Sequence, residues 1–183
     1  MAEAWRNWGH VVLATGLALP LAVATALGLT VWRTRRGVPA AEARRRSITE
    51  VGLLVGTVPW LWMGLSPRPA ARAVELTPLA DLVEQVAADP YRAAVQIVAN
   101  LLVFFSLGFF LPIRTAAFAG LARLFALGAA GSALLETLQY VLDLGRVTAV
   151  DDVLLNALGA LLGGLASRRW WSTPLPGRPR TGS

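Results

Sequence analysis

The sequence predicts an all-α, polytopic integral membrane helix bundle, with about five transmembrane helices and a short amphipathic interfacial helix. Three observations predict it. Of 183 residues, 55% are hydrophobic and only 15% charged, where a soluble domain carries about a quarter charged residues. Runs of about 18 or more mostly apolar residues follow one another, each long enough to cross a bilayer as a helix. The arginines gather in the segments between those runs, which sets an orientation.

Composition also excludes whole classes. The net charge is +6, and no Lys occurs, so every basic residue is Arg. A basic balance suits nucleic acid or a membrane surface. Because these arginines flank apolar spans, the partner is the lipid bilayer and not nucleic acid. The chain has no Cys, which removes disulfides, thiolate catalysis and cysteine metal sites. The single His10 cannot form a histidine cluster. One bundle occupies residues 1–167, and 168–183 form a disordered, basic, cytoplasmic tail.

The first span covers 10–32, with Pro20 as a kink. An Ala-x-Ala pattern at 22–26 fits a signal-peptidase site. The apolar stretch is longer than a signal core, however, and only Arg6 precedes it, so a span is the better reading. Residues 33–46 hold six Arg against Glu42 and mark the cytoplasmic side. The second span, 48–65, carries Glu50 near its inner end, a Gly52/Gly56 packing pair and Trp60 and Trp62 near its outer end.

Pro67 and Pro69 open the long loop 66–92. In it, Thr77-Pro78 reads as a helix N-cap and first-turn proline. Leu79, Leu82, Val83 and Val86 then form an apolar stripe, opposite Asp81, Glu84, Gln85 and Asp89. Such a helix lies on the outer bilayer surface or packs as a plain surface helix on the bundle. The third span is 93–113, with Gln96 and Asn100 one turn apart; the fourth is 117–142; the fifth is 151–167, with a Gly159/Gly163 pair. This topology puts the N-terminus outside and the C-terminus in the cytoplasm of a plasma-membrane protein. Twelve arginines fall on the inner side. Arg6, Arg68, Arg72, Arg92 and Arg146 fall on the outer side.

Residues 131–163 concentrate the polar groups. Ser132, Glu136 and Gln139 share one face of the fourth span, and Asp152, Asn156, Gly159 and Gly163 share one face of the fifth. Counting about 1.5 Å per residue from the outer ends puts Asn100, Glu136 and Asn156 at one level, roughly 5–10 Å below the interface. Polar groups are costly there, so they mark a site by default. Glu136, Asp152 and Arg146 are the candidate catalytic residues, with Asn100, Gln139, Asn156 and Asp151 as candidate binding residues. Asp151 and Asp152 also suit the N-terminus of the last helix; capping fits Asp151 better, the pocket fits Asp152. Acid–base chemistry by two carboxyl groups is one use. Oxygen ligation of a divalent cation by Glu136, Asp152 and Asn156 is another. A structural clasp between helices is the plain alternative, while a transporter lacks an inverted repeat.

These motifs also resemble a family. Asn100 through the apolar run to Gly108-Phe109, the Glu136-x-x-Gln139 pair, and Gly145, Arg146, Asp151, Asp152, Asn156, Gly159 and Gly163 match the pattern of VanZ-like membrane proteins, and Leu76 and Pro78 echo its outer segment. The resemblance covers roughly 48–165 and is strongest over 97–163. Ser106 stands where the family often has Pro, and Ala149 where it often has Asp. The resemblance implies a bacterial integral membrane protein linked to the cell envelope and, in some members, to teicoplanin resistance. Its implied partners are a glycopeptide, a lipid-linked cell-wall precursor or a phospholipid head group. It implies no particular reaction or cofactor.

Overall fold

The computed structural model of the chain describes residues 2–67, 73–75 and 77–172. Among the sequence features named above, Arg68, Pro69, Arg72, Leu76, Arg178 and Arg180 lie outside the described residues, as do the side chains of Arg6, His10 and Asp81. The chain forms two compact units, Met1–Val55 and Gly56–Ser183.

The first unit contains α1 (Ala2–Arg35) and the start of α2 (Ala40–Leu65). The arginine-rich segment is far more helical than its role as a loop suggested. Both helices run into it and leave only 36–39 between them. Ala, Arg and Glu are good helix formers, and Glu42 pairs with Arg46 one turn away. Gly37, with φ +85°, closes α1. Arg33 binds Glu50 and donates to Ser47 Oγ at 2.9 Å, tying the two helices together. The Arg36 guanidinium lies 4.5 Å above the Trp32 ring.

The second unit holds the rest of α2, then β1 (Ala73–Glu75), α3 (Ala80–Ala88), α4 (Pro90–Arg114), α5 (Leu121–Val141), β2 (Val147–Ala149) and α6 (Val150–Ser167). The five long helices are apolar enough to cross a membrane. Leu54, Val58, Leu134 and Leu162 point outward, as lipid-facing side chains do.

Helix α6 is the centre of this unit. It packs along both α4 and α5, which barely touch each other. Its glycines make this possible. A Cβ on Gly159 would fall on the Leu101 carbonyl, and one on Gly163 on the Phe105 carbonyl. A Cβ on Gly108 of α4 would fall on the Ala160 carbonyl. On the other side, a Cβ on Gly128 of α5 would sit 2.9 Å from Ala157 Cα. Small residues thus let three backbones meet, the standard solution where lipid offers no hydrophobic drive for association. Val103, Phe104 and Ala160 form the core beside this contact, with Trp60 and Leu107 packed on them. Trp60 is therefore a packing residue rather than a belt residue, whereas Trp62 is 77% exposed.

Three local features depart from expectation. First, β1 and β2 pair in parallel, Ala73 with Val147 and Glu75 with Ala149. Three-residue strands are too short to show a two-residue alternation. Second, Thr77 does not cap α3. Its N–H is bonded to the Glu75 carboxylate at 2.9 Å, which holds the Glu75 carboxyl below its usual range. The helix starts at Ala80 after Leu79, whose φ is 65°. Helix α3 packs against α4, yet Val83 and Val86 remain exposed, and Leu82, Val83, Val86 and Ala87 line a shallow recess of about 370 Å³. Third, residues 168–172 are ordered rather than part of a loose tail. Arg168–Trp170 form a 3-10 turn, Trp171 Nε1 donates to Ser167 Oγ at 3.0 Å, and Ser172 N–H donates to the Pro112 carbonyl at 2.9 Å.

The close backbone contact makes a direct prediction. Gly159→Ala should destabilise the protein by about 1–3 kcal/mol, because a backbone carbonyl cannot yield as a side chain can. Gly28→Ala, with nothing within 4 Å of its Cβ, should not. Thermal unfolding of both variants in the same detergent checks the contrast.

Candidate functional site

The polar residues picked out by the sequence converge within the second unit, and each is placed by a specific element. Helix α5 presents Ser132, Glu136 and Gln139 on one buried face. The first turns of α6 present Asp151, Asp152 and Asn156. Helix α4 presents Asn100 one turn below Gln96. The turn before β2 carries Arg146.

Cross-helix hydrogen bonds fix the level at which they meet. Asn100 Nδ2 donates to Asp152 Oδ1, joining α4 to α6. Asn156 Nδ2 donates to Ser132 Oγ at 2.7 Å, joining α6 to α5. Gln139 Nε2 donates to the Gly64 carbonyl at 2.9 Å. Arg146 Nη2 donates to the carbonyls of Met63 and Ser66, the latter at 3.2 Å. Arg146 and Gln139 thus satisfy carbonyls at the end of α2, which helix geometry leaves without internal partners. Arg146 still counts among the charged neighbours of Glu136, together with Asp152.

Glu136 is 5% exposed and sits beside the backbone N–H of Ala149 and the side chain of Thr148. The pairing of β2 with β1 holds both residues over it. Thr148 was not a sequence candidate. The only signal was a hydroxyl among apolar neighbours two residues after Arg146.

Asp151 does something other than cap its own helix. Ala149 occupies the N-cap of α6 and makes no side-chain cap bond. Asp151 Oδ1 instead accepts from the Leu79 N–H at 2.7 Å. It caps α3 from across the fold, the role that Thr77 would have filled. Adjacent helical residues point about 100° apart, so Asp151 reaches α3 while Asp152 reaches α4.

The two positions that depart from the family pattern have structural settings. Ser106 lies against Gly56, whose missing side chain makes room for the Ser106 hydroxyl. Ala149 is 5% exposed and pairs with Glu75.

Four buried oxygens of this region have no hydrogen-bond partner in the protein: Glu136 Oε2, Asn156 Oδ1, Asp151 Oδ2 and Thr148 Oγ1. No group of three His, Cys, Asp or Glu side chains able to hold a metal ion occurs among the described residues.

The fold and the site define a multi-pass membrane protein with a buried polar cluster where three helices join. Within that class, the chain belongs to the VanZ/LLP1 family, whose model matches residues 51–171. No curated protein and no solved structure matches it.

The Asp151 bond can be isolated. Asp151→Ala leaves the Leu79 N–H without its acceptor, a loss of about 1–3 kcal/mol. Hydrogen exchange should then speed up over residues 77–88 while α4 and α6 stay protected.

Proposed function

We propose that the cluster around Glu136 is a site that binds or processes a cell-envelope molecule, reached from the outer face of the plasma membrane. The observation that carries this reading is the set of buried oxygens without partners on Glu136, Asn156 and Asp151, three side chains exposed by only 5%, 2% and 6%. Buried polar groups are almost always paired, and leaving one unpaired costs about 1–3 kcal/mol. Groups that only clasp helices have no reason to retain that cost. A ligand that pairs with them does supply one.

In this reading Glu136 and Asp152 are the acid–base or ligand-holding groups. Asn100 fixes the Asp152 carboxylate, Ser132 fixes Asn156, and both amides orient the carboxyl groups. Gln139 and Arg146 anchor the end of α2 beside the site, and Arg146 supplies positive charge near Glu136. The reading extends to glycopeptide and teicoplanin resistance, which the resemblance to VanZ-like proteins implies.

A second reading, an interhelical clasp in a non-enzymatic structural or partner-binding protein, has its own support. Asn100–Asp152 and Asn156–Ser132 each tie two helices. The two readings separate in Glu136→Gln and Asp152→Asn, which keep shape and remove charge. The site reading expects expression and thermal stability to hold while the glycopeptide susceptibility of expressing cells changes. Unfolded variants with no separable activity would favour the clasp.

The orientation is part of the same proposal, with the N-terminus outside and the C-terminus in the cytoplasm. The chain has no native Cys, so single cysteines at Ala40 and Ala88 report sidedness directly. An impermeant maleimide added to intact cells should label Ala88→Cys and not Ala40→Cys. The opposite pattern would invert the topology.

A further inference from the structure

We infer that the cluster takes a primary ammonium group as its ligand, such as the head group of an aminophospholipid; this rests on the reading of the cluster as a binding site. The chemistry of the unpaired atoms points there. Glu136 Oε2 and Asn156 Oδ1 are acceptors, and the Thr148 hydroxyl can also accept. A ligand complementary to them brings donors.

An anionic group would instead meet two carboxyl groups, since Glu136 and Asp152 are neighbours. Among the described residues the cation beside Glu136 is Arg146, whose Nη2 donates to the Met63 and Ser66 carbonyls. A phosphate or a carboxylate alone is therefore less well matched than a group that brings its own positive charge. A divalent cation draws on the same oxygen donors, and the test below separates the two. An ammonium group carries three N–H donors and one positive charge. It can bond Glu136 and Asn156 together while offsetting the repulsion between Glu136 and Asp152.

The helix faces make that joint contact possible. The Asn156 amide nitrogen is held on Ser132 at 2.7 Å, and Ser132 precedes Glu136 by one turn on the same buried face of α5. The Asn156 carbonyl and the Glu136 carboxyl therefore belong to one patch. The Asp152 carboxylate stands one turn above Asn156 on α6.

The test uses the full chain reconstituted in vesicles of equal parts phosphatidylcholine and phosphatidylethanolamine. After mild extraction, retained lipid is measured by mass spectrometry. Phosphatidylethanolamine should be enriched several-fold over phosphatidylcholine, whose trimethylated nitrogen has no N–H to donate. Glu136→Gln should abolish the enrichment. A second measurement needs no variant. Free ethanolamine and free choline are added to the wild-type protein, and thermal unfolding is followed. A shift with ethanolamine alone means that the head group suffices. Enrichment of the lipid without that shift means that the whole lipid is needed; both support the ammonium site. Equal retention of the two lipids with no ethanolamine shift would overturn it, as would enrichment unchanged by Glu136→Gln. Stabilisation by calcium or magnesium alone, lost in Glu136→Gln, would also overturn it. If no amine preference is found but Glu136→Gln still changes glycopeptide susceptibility, the ligand class falls and the site stands.

Discussion

The structure depends first on backbone meeting backbone at the α4–α6 contact. Leu101, Phe105 and Ala160 carbonyls occupy the space that side chains on Gly159, Gly163 and Gly108 would need. In lipid the apolar faces of these helices gain little from one another, so dispersion at close range must hold them. Close approach also shortens the reach required of polar side chains. Asn and Asp are short, yet Asn100 and Asp152 bond directly across the interface. With wider helix spacing the same residues would miss each other. The glycines therefore build the site as well as the fold.

The acidic pair at the start of α6 divides its work by geometry. One residue of rotation separates Asp151 from Asp152 by about 100°. One carboxylate holds the N–H of Leu79 at the start of α3, and the other holds Asn100 on α4. The loop that carries α3 is thereby linked to the turn of helix that carries the cluster. Leu79 itself is a non-glycine residue at φ 65°, a conformation that costs of order 1 kcal/mol or more. The Asp151 bond and the β1–β2 pairing are the contacts that hold the chain there.

Much of this was legible in the sequence because it rests on two strong periodicities. Apolar runs of membrane length give the five spans, and the i, i+4, i+7 spacing of Ser132, Glu136 and Gln139 gives a shared face that is indeed buried. Counting depth put Asn100 level with Asn156, whereas its bond is made one turn away, to Asp152. What the sequence hid was non-local. Nothing local marks Ala73–Glu75 as the partner of Val147–Ala149, since three residues carry no pattern. The Asp151–Leu79 bond spans 72 positions, and its carboxylate sits where a local cap would be expected. No local pattern marks the Met63 and Ser66 carbonyls at the end of α2 as acceptors for Arg146, which also neighbours Glu136. The arginine-rich loop became helix because charge decides sidedness, while propensity decides conformation.

The choice between clasp and ligand site turns on an accounting of hydrogen-bond capacity. A clasp is complete when every buried donor and acceptor is used. Here the Asn100, Gln139 and Asn156 amides and Arg146 Nη2 donate to protein oxygens. The unused capacity falls mainly on oxygen, at Glu136, Asn156, Asp151 and Thr148, with Arg146 Nε beside them. Oxygens left over at one helix junction, beside two carboxyl groups, have a complement in chemistry: something that brings hydrogen and positive charge.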